Sequence, residues 1–326
     1  MSGVKSGGVL IVTHREAQEV DGVIDILRSR QIEVTRWNLC EYPERATASV
    51  SSHAIGMNGT HVVTRLPFRA GWIHDCGAFS IARSPLTGLD REVALRESSS
   101  FWAGALAGLA IVWLNEPSRI EVASAKLLQL RVAQRLDIPI PDFCATNDSI
   151  EASRFVQSKG RVIAKAIRGG FVIHPDRTVK FFTRRVTEAN FSLFSSLTSC
   201  PLLFQEEIER QQELRVTVVD GKCFSMSIDC EHLPEGIVDI RELDFKRERP
   251  RFARATNVEQ IEIWSSAMVG ELGLSYAALD WAISIRGEPY FLECNPLGSF
   301  KWSELCTGQN ITQEIADTLF RRATQA

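Results

Sequence analysis

The segment ALDWAISIRGEPYFLECNP, residues 278–296, has the pattern of two apolar strands joined by a tight turn. Because side chains alternate along a strand, Glu293 and Asn295 share one face while Cys294 lies on the other. If the strands pair antiparallel, Asp280 lies beside them. Two carboxylates and an amide oxygen suit Mg²⁺, whereas unpaired carboxylates are costly to bury. The segment predicts a magnesium site at Asp280, Glu293 and Asn295, and its alternative is a hairpin with polar residues on a wet face.

Composition limits the classes of protein to which the chain can belong. It has 326 residues, 44% of them hydrophobic, which is enough for two or three domains. A net charge of −3 provides no basic field for nucleic acid or an anionic membrane. The eight cysteines show no CxxC spacing, and residues 1–8 lack the pattern of a signal peptide. We therefore expect a cytoplasmic protein with reduced thiols that binds neither nucleic acid nor membrane.

The N-terminal third predicts an α/β layer. An apolar strand at residues 8–13, an amphipathic helix at 19–30 and a strand at 32–37 form a β-α-β start. The turn after the first strand has neither a GxGxxG motif nor a P-loop, so this layer is predicted to be a structural or substrate-shaping lobe. A long helix follows at 90–114, either broken or tightly packed at Gly104 and Gly108, where small residues would allow another element to approach closely.

The rest of the chain predicts α+β structure. A helix at 117–136 carries Lys126 near its middle, and an Asp-Gly turn at 220–221 predicts a hairpin. The other main predicted elements are helices at 149–159, 258–273 and 313–322, a hairpin at 171–182, and strands at 161–167 and 202–208.

Several polar residues are candidates for binding phosphates. Lys165 lies within the apolar run Val-Ile-Ala-Lys-Ala-Ile and needs an anionic partner, whereas Lys126 considered alone is better explained as a solvated surface residue. Gly169-Gly170 would let backbone N–H groups approach a phosphate, or would simply form a turn. The strand end Gln205–Ile208 offers backbone groups to an adenine edge, and Arg215 can neutralise a transferring phosphoryl group.

In this order the residues resemble the ATP-grasp ligases, from about Pro117 to the C-terminus. The resemblance implies an N-terminal α/β (pre-ATP-grasp) domain at 1–115, a central α+β subdomain at 116–204 and a C-terminal ATP-grasp subdomain at 205–326, gripping ATP. It implies contacts to phosphate from Lys126 and Lys165, to adenine from Gln205, Glu206, Glu207 and Ile208, to ribose from Glu213, and to Mg²⁺ from Asp280, Glu293 and Asn295.

A narrower resemblance covers nearly the whole chain. VLIVTH (9–14), VTE (186–188), LRVTVV (214–219), VDIR (238–241) and NPLGSFKW (295–302) are similar to segments of the microviridin-type, or graspetide, macrocyclases of ribosomal peptides. These enzymes join Asp or Glu side chains to Thr, Ser or Lys side chains as ω-esters or ω-amides. Two family segments differ here: Trp-Tyr-Arg-Arg-Pro corresponds to residues 79–85, and Asp-Trp-Arg corresponds to Asp239-Ile240-Arg241.

This resemblance implies roles for the remaining charged residues. Arg215, Arg241 and Lys165 would stabilise the anionic intermediates of acyl phosphate chemistry. A precursor peptide, with leader and core, would contact Asp239 and Arg241, and an acidic leader residue would pair with Arg184 or Arg185. Asp239 and Arg241 are equally explained as a surface ion pair, and Arg184 and Arg185 as a solvated basic turn. A homodimer is compatible with the resemblance. The alternatives are an ATP-grasp ligase acting on a small molecule or protein tail, similar to glutathione synthetase or the ribosomal-protein glutamate ligase, and a non-catalytic binding module.

Overall fold

The structure is a computed structural model that describes residues 7–52, 54–57, 60–63, 68–77, 79, 81, 84–168, 171–174, 177–231, 237–242 and 250–325. Helices and strands of its first part are β1 (Gly8–Thr13), α1 (Asp21–Ser29), β2 (Val34–Asn38), β3 (Ala48–Val50), β4 (Ala54–Met57), β5 (Thr60–Val63), β6 (Phe68–Ile73), α2 (Gly88–Ala107) and β7 (Val112–Trp113). Strands β2-β1-β6-β7 form a parallel sheet, and β3-β4-β5 form an antiparallel one.

The second part contains α3 (Pro117–Ala123), α4 (Lys126–Arg135), β8 (Phe143–Thr146), α5 (Ser149–Lys159), β9 (Val162–Lys165), β10 (Phe171–His174), β11 (Arg177–Lys180), β12 (Arg184–Arg185) and β13 (Leu202–Glu206). The third part contains β14 (Arg210–Val219), β15 (Lys222–Asp229), β16 (Phe252–Arg254), α6 (Glu259–Glu271), β17 (Tyr276–Ser284), β18 (Pro289–Asn295), α7 (Lys301–Thr307) and α8 (Ile311–Gln325). Their main sheets are antiparallel, with strand orders β12-β9-β13-β8 and β16-β15-β14-β17-β18, and β10 pairs with β11.

Local sequence signals account for most of these elements. Val23, Ile24 and Leu27 of α1 and the preceding Val20 are all buried, which confirms that the helix predicted at 19–30 is amphipathic. Asp220 and Gly221 both have positive φ angles, 50° and 85°, as a two-residue hairpin turn between β14 and β15 requires. The mixed α/β and α+β architecture predicted from the sequence is therefore confirmed.

Two helix predictions were wrong. The helix predicted for residues 90–114 ends at Ala107, and β7 then adds to the parallel sheet with Trp113 packed over Gly71, where a Cβ would come within 2.6 Å of the indole ring. The helix predicted for 117–136 is broken after Ala123. The Ala123 carbonyl oxygen there accepts a hydrogen bond from the side-chain Nε2 of Gln129 (2.6 Å), so Lys126 begins α4 rather than lying mid-helix.

Close packing at Gly104 and Gly108 is also corrected. A Cβ added at Gly104 would have no neighbour within 4 Å, and one added at Gly108 would approach only carbonyl oxygens of its own helix. Neither glycine is required by a neighbouring element.

The last helix returns to the first sheet. Ile311, Ile315 and Leu319 of α8 are fully buried in the same core as Val9 and Trp72.

We retain the domain limits at residues 115 and 204 as a proposal. Within the described ranges, no helix combines the length and the apolar character needed to cross a lipid bilayer.

Candidate active site

A cavity of about 920 Å³ lies between the β9/β13 side of the central sheet and the β14/β17/β18 face of the C-terminal sheet. It contains both apolar and charged walls, as expected of a site for a charged ligand with an aromatic part. The predicted residues that line it are Lys126, Lys165, Gln205, Glu206, Glu207, Ile208, Glu213, Arg215, Asp239, Arg241, Asp280, Glu293 and Asn295.

The predicted acidic hairpin has the expected pairing. Strands β17 and β18 are antiparallel, with Asp280 opposite Glu293 and Ala278 opposite Asn295. The three predicted metal ligands therefore meet on adjacent strands at one wall of the cavity. Among the described residues, no group of three or more His, Cys, Asp or Glu side chains could hold a metal ion. The predicted set is not such a group, because it consists of two carboxylates and one amide.

Each member of this set has a partner within the chain. Glu293 accepts a hydrogen bond from Lys126 Nζ, and Asp280 accepts from Arg215 Nη1 at 2.8 and 3.0 Å. The Asn295 Oδ1 atom accepts from the Leu297 N–H at 3.0 Å. The two half-buried carboxylates are thus held by cations on neighbouring elements, which compensates for their partial removal from water.

The two carboxyl groups differ in pKa direction. Burial raises the pKa of Asp280, and the positive charge of Arg215 only partly opposes it. Burial would also raise the pKa of Glu293, but the charge and hydrogen bond of Lys126 outweigh it and hold that pKa below its usual value. Because each carboxylate disfavours ionisation of the other, a divalent cation between them would favour the doubly ionised pair.

Lys165 faces Lys126 across the cavity. Burial, with the repulsion of Lys126 second, lowers the pKa of the Lys165 ammonium to about 8. An ammonium in this position lacks the negative charge that would restore its usual pKa. A bound phosphate would supply that charge, as predicted from the apolar sequence around Lys165.

We expect nucleotide binding to depend on this ammonium. Below pH about 8 the protonated Lys165 attracts phosphate, and above it the charge is lost. Affinity for ADP should therefore fall as pH rises through that value, by up to about tenfold per pH unit. Calorimetric titration of Lys165→Met should give weaker binding that is flat across the same range. Lys222→Met, an exposed lysine paired with Glu314, is the control and should behave like the wild type. A pH dependence that persists in Lys165→Met would contradict this assignment.

Gln205 is the most unusual polar residue of the cavity. Strand β13 pairs Gln205 with Ile163 and Leu203 with Lys165, so Gln205 shares the sheet face of Lys165. Its side chain is fully buried, and neither its Oε1 nor its Nε2 atom has a hydrogen-bond partner in the described part of the chain. Buried amides are rarely left unsatisfied, so this one fits a ligand that both donates and accepts.

One part of the predicted adenine contact needs correction. The backbone N–H groups of Glu206 and Glu207 are already used: they donate to the carbonyl oxygens of Asp142 (2.8 Å) and Arg161 (3.0 Å). These donors were expected to be free because the sequence does not show which strand end packs beside them.

Arg215 and Glu213 share the cavity face of β14. Arg215 is opposite Asp280, its side chain is 11% exposed, and its Nη2 atom donates to the Ser299 carbonyl oxygen at 3.3 Å. A Cβ at Gly298 would come within 2.8 Å of that nitrogen, so glycine is required for this approach. Glu213 is paired with Arg210 at 2.5 Å, and burial nevertheless raises its pKa.

Asp239 and Arg241 form a pair at the mouth of the cavity. Asp239 accepts from Arg241 Nε (2.8 Å) and Nη2 (2.5 Å), and also from the Thr183 N–H (3.1 Å). Burial opposes ionisation of Asp239, but these bonds hold its pKa below the usual value. Because Arg241 remains 57% exposed, its guanidinium can reach a ligand from this position.

Solved structures share this fold over nearly the whole chain. An ATP-grasp ligase from Chryseobacterium gregarium is associated with a ribosomally synthesised and post-translationally modified peptide, and its structure contains ADP and a leader and core peptide. It is 25% identical, with a TM-score of 0.83 over 96% of both chains. The macrocyclase MdnC from Microcystis aeruginosa MRC, bound with precursor peptide MdnA, is 25% identical, with a TM-score of 0.83 over 95% of this chain and 98% of MdnC. The chain is an ATP-grasp ligase.

A third structure shares the fold at lower identity. The ATP-grasp ligase PsnB, complexed with a phosphomimetic variant of its minimal precursor, Mg and ADP, is 21% identical, with a TM-score of 0.78 over 98% of this chain and 99% of PsnB. No family model and no curated protein matches the sequence. The resemblance to ATP-grasp ligases found in the sequence motifs is confirmed by these structures.

Arg184 and Arg185 do not line the cavity of this ligase. Arg185 donates to both carboxylate oxygens of Glu207, at 2.7 and 2.5 Å, and Arg184 pairs with Glu242. Their proposed contact with an acidic peptide residue would therefore compete with partners inside the ligase. Other predicted features, Gly169-Gly170, the turn at 175–176 and part of the segment 79–85, lie outside the described residues.

Sequence reasoning missed several residues of the ligase site. Arg210, Ser299, Trp302 and Gln129 line the cavity, and Gln129 also bonds to the backbone of Cys294 between Glu293 and Asn295. Ser299 and Trp302 belong to NPLGSFKW, a segment that resembles the graspetide macrocyclases. That resemblance is the sequence signal by which these two residues could have been predicted. Gln129 gave none, because a glutamine in an apolar helix looks like a surface residue until its strand partner is known.

Proposed function

We propose that this ATP-grasp ligase activates Asp or Glu side chains of a ribosomal precursor peptide as acyl phosphates and closes ω-ester or ω-amide rings. One observation carries the proposal: two lysines, an arginine, two carboxylates and an amide converge in a single cavity. The relatives that share this fold at 25% identity contain ADP or a precursor peptide. We accordingly propose ATP and Mg²⁺ as cofactors and a precursor with leader and core as the partner.

Residues of the cavity can contact both the adenine and the phosphates of a nucleotide. The orphaned Gln205 amide can accept from the exocyclic amino group of adenine and donate to a ring nitrogen, a pairing that glutamine makes with adenine elsewhere. Lys165 and Lys126 both line the cavity and can contact the phosphates from opposite walls. Glu213, as a buried carboxyl near Arg215, is proposed to approach the ribose.

Selection for adenine gives a direct test of Gln205. Guanine offers two acceptors along the corresponding edge, so it would leave the Gln205 carbonyl oxygen unsatisfied. We expect ADP to bind more tightly than GDP, and Gln205→Leu to weaken ADP binding by about tenfold while changing GDP binding little. Calorimetry with both nucleotides measures this. Gln134→Leu, at an exposed position on α4, should leave both affinities unchanged. Equal affinities for ADP and GDP in the wild type would remove the assignment.

Asp280, Glu293 and Asn295 fit a magnesium ion. Their oxygens are the donors that Mg²⁺ prefers, and two charged ligands leave room for water and phosphate oxygens in the coordination shell. When bound, the ion would neutralise phosphate charge and polarise the phosphoryl group. Release of Arg215 from Asp280 would accompany this binding, because both cations use the same carboxylate.

The chemistry of the chain's own residues follows from their charges. A substrate carboxylate oxygen attacks the γ-phosphorus, the bond to the ADP oxygen breaks, and Lys126, Lys165 and Arg215 balance the charge that moves between oxygens. A hydroxyl or amine of the peptide then attacks the acyl carbon and loses its proton, and phosphate leaves with the oxygen of the original carboxylate. Arg241 is placed to stabilise the anionic intermediate at the mouth of the cavity.

The substrate is proposed to enter past Asp239 and Arg241, with Arg184 and Arg185 available to the leader if their internal partners are displaced. We also propose a homodimer, which light scattering would test, and a cytoplasmic location, consistent with eight unpaired thiols.

Release of ADP tests the function. With a candidate precursor peptide encoded beside this chain, ADP release should rise well above the peptide-free rate. Addition of free glutamate or other amino acids should leave the rate at the peptide-free level. The opposite result, with turnover driven by an amino acid and not by the peptide, would select a small-molecule ligase instead.

A further inference from the structure

Gln129 makes all of its observed side-chain hydrogen bonds to backbone. It lies on α4, is 2% exposed, and donates from Nε2 to the carbonyl oxygens of Ala123 (2.6 Å) and Cys294 (2.7 Å). Its Oε1 atom accepts from the Cys294 N–H at 3.0 Å. Both backbone groups of Cys294 are therefore bound by one amide.

This amide closes the edge of a sheet. Strand β18 is the last strand in the order β16-β15-β14-β17-β18, so one of its sides has no strand neighbour among the residues that the structure describes. An edge strand presents unpaired N–H and C=O groups, and a primary amide can pair with both in the manner of an adjacent strand. Gln129 supplies that pairing at Cys294, which lies between Glu293 and Asn295 in the chain.

The same helix carries the cation that binds Glu293. Lys126 and Gln129 are three residues apart, hence on one face of α4, and Lys126 Nζ donates to Glu293. The helix therefore holds β18 twice, through the backbone by Gln129 and through the carboxylate by Lys126. The first contact fixes where Glu293 and Asn295 lie relative to the ammonium.

From this arrangement we infer that Gln129 is a positioning residue for the magnesium site, holding Glu293 and Asn295 at the separation from Lys126 that metal-bound nucleotide requires. The inference rests on the proposed metal site. Both polar atoms of the Gln129 side chain are bonded to backbone, so it acts through the backbone of Cys294. Apolar neighbours on α4, among them Val132 and Ala133, already provide the packing of this face.

The contribution of Mg²⁺ to ADP binding separates positioning from packing. Leucine is close to glutamine in volume, so Gln129→Leu fills the space but cannot hold the strand edge. Calorimetry of ADP with and without Mg²⁺ should show that Mg²⁺ strengthens binding to the wild type. In Gln129→Leu the metal-free affinity should stay near the wild-type value, and the strengthening by Mg²⁺ should fall by about tenfold or more, as for other residues that orient metal ligands.

A matched control and a second variant complete the test. Gln309→Leu removes another side-chain amide that bonds to strand backbone (Ser225 carbonyl oxygen, 3.1 Å) away from the cavity, and it should keep the full Mg²⁺ effect. If Gln129→Leu does not fold, Gln129→Asn, which keeps the amide but shortens its reach, should show the same loss. An undiminished Mg²⁺ effect in a folded Gln129 variant overturns the inference. Absence of any Mg²⁺ effect in the wild type overturns the metal site itself, and the inference with it.

Discussion

Glu293→Ala is expected to abolish ATP turnover and to leave a folded protein. The side chain is 33% exposed at the cavity wall, so the variant should still fold. It is, however, the carboxylate that Lys126 holds ionised, and it faces Asp280 across β17 and β18. Its loss would remove a proposed metal ligand and leave Lys126 without its anionic partner. We therefore expect a larger effect than the ~10²–10³-fold cost of losing one transition-state donor.

The measurement is ADP release, with thermal unfolding recorded on the same preparation. Glu288→Ala is the matched control, because Glu288 is an exposed carboxylate just before β18 that bonds to Tyr290 outside the cavity. It should turn over ATP at the wild-type rate. Normal turnover by a folded Glu293→Ala protein would disprove the role of this carboxylate.

Arg215→Ala should lower kcat by ~10²–10³-fold while nucleotide still binds. The guanidinium is nearly enclosed, and its fork contacts Asp280 and the Ser299 carbonyl oxygen. A planar, permanently charged group there can stabilise the negative charge that moves from one phosphate oxygen to another during transfer. Lys126 and Lys165 remain in the variant and should support nucleotide binding. Arg215→Lys should restore little activity, because a point charge cannot reproduce two directed hydrogen bonds.

Nucleotide affinity and kcat measured on one preparation distinguish the roles of Arg215. Arg30→Ala is a suitable control because it removes another arginine paired with an aspartate (Asp317, 2.6 Å) far along the chain from the site, and kcat should not change. If Arg215→Ala instead loses nucleotide affinity and keeps kcat at saturating ATP, then Arg215 serves ground-state binding and the transition-state role is wrong.

The parts of the site that the sequence predicted are those encoded over short distances. Alternation within β18 placed Glu293 and Asn295 on one face, and a turn signal brought Asp280 opposite Glu293. The apolar residues around Lys165 showed that its ammonium needs an anion, as its lowered pKa indicates. Each of these predictions required only one hairpin or one strand.

The parts that could not be predicted depend on contacts between distant segments. The break between α3 and α4 is stabilised by Gln129, whose other partner, Cys294, is 165 residues further along the chain. The N–H of Glu207 is used by Arg161, and its carboxylate by Arg185. Helix α8 belongs to the core of the first sheet although the whole C-terminal sheet lies between them in the chain. None of these long-range contacts leaves a pattern in the local sequence.

We propose that this ligase joins a peptide carboxylate to a hydroxyl or amine of the same peptide at the expense of ATP. Mass spectrometry of a candidate precursor, co-expressed with the wild type and with Glu293→Ala, tests this proposal directly. With the wild type we expect a mass lower by one water for each ring formed, and with Glu293→Ala an unchanged mass. A precursor of unchanged mass from wild-type cells, although the purified enzyme releases ADP in its presence, would contradict the claim.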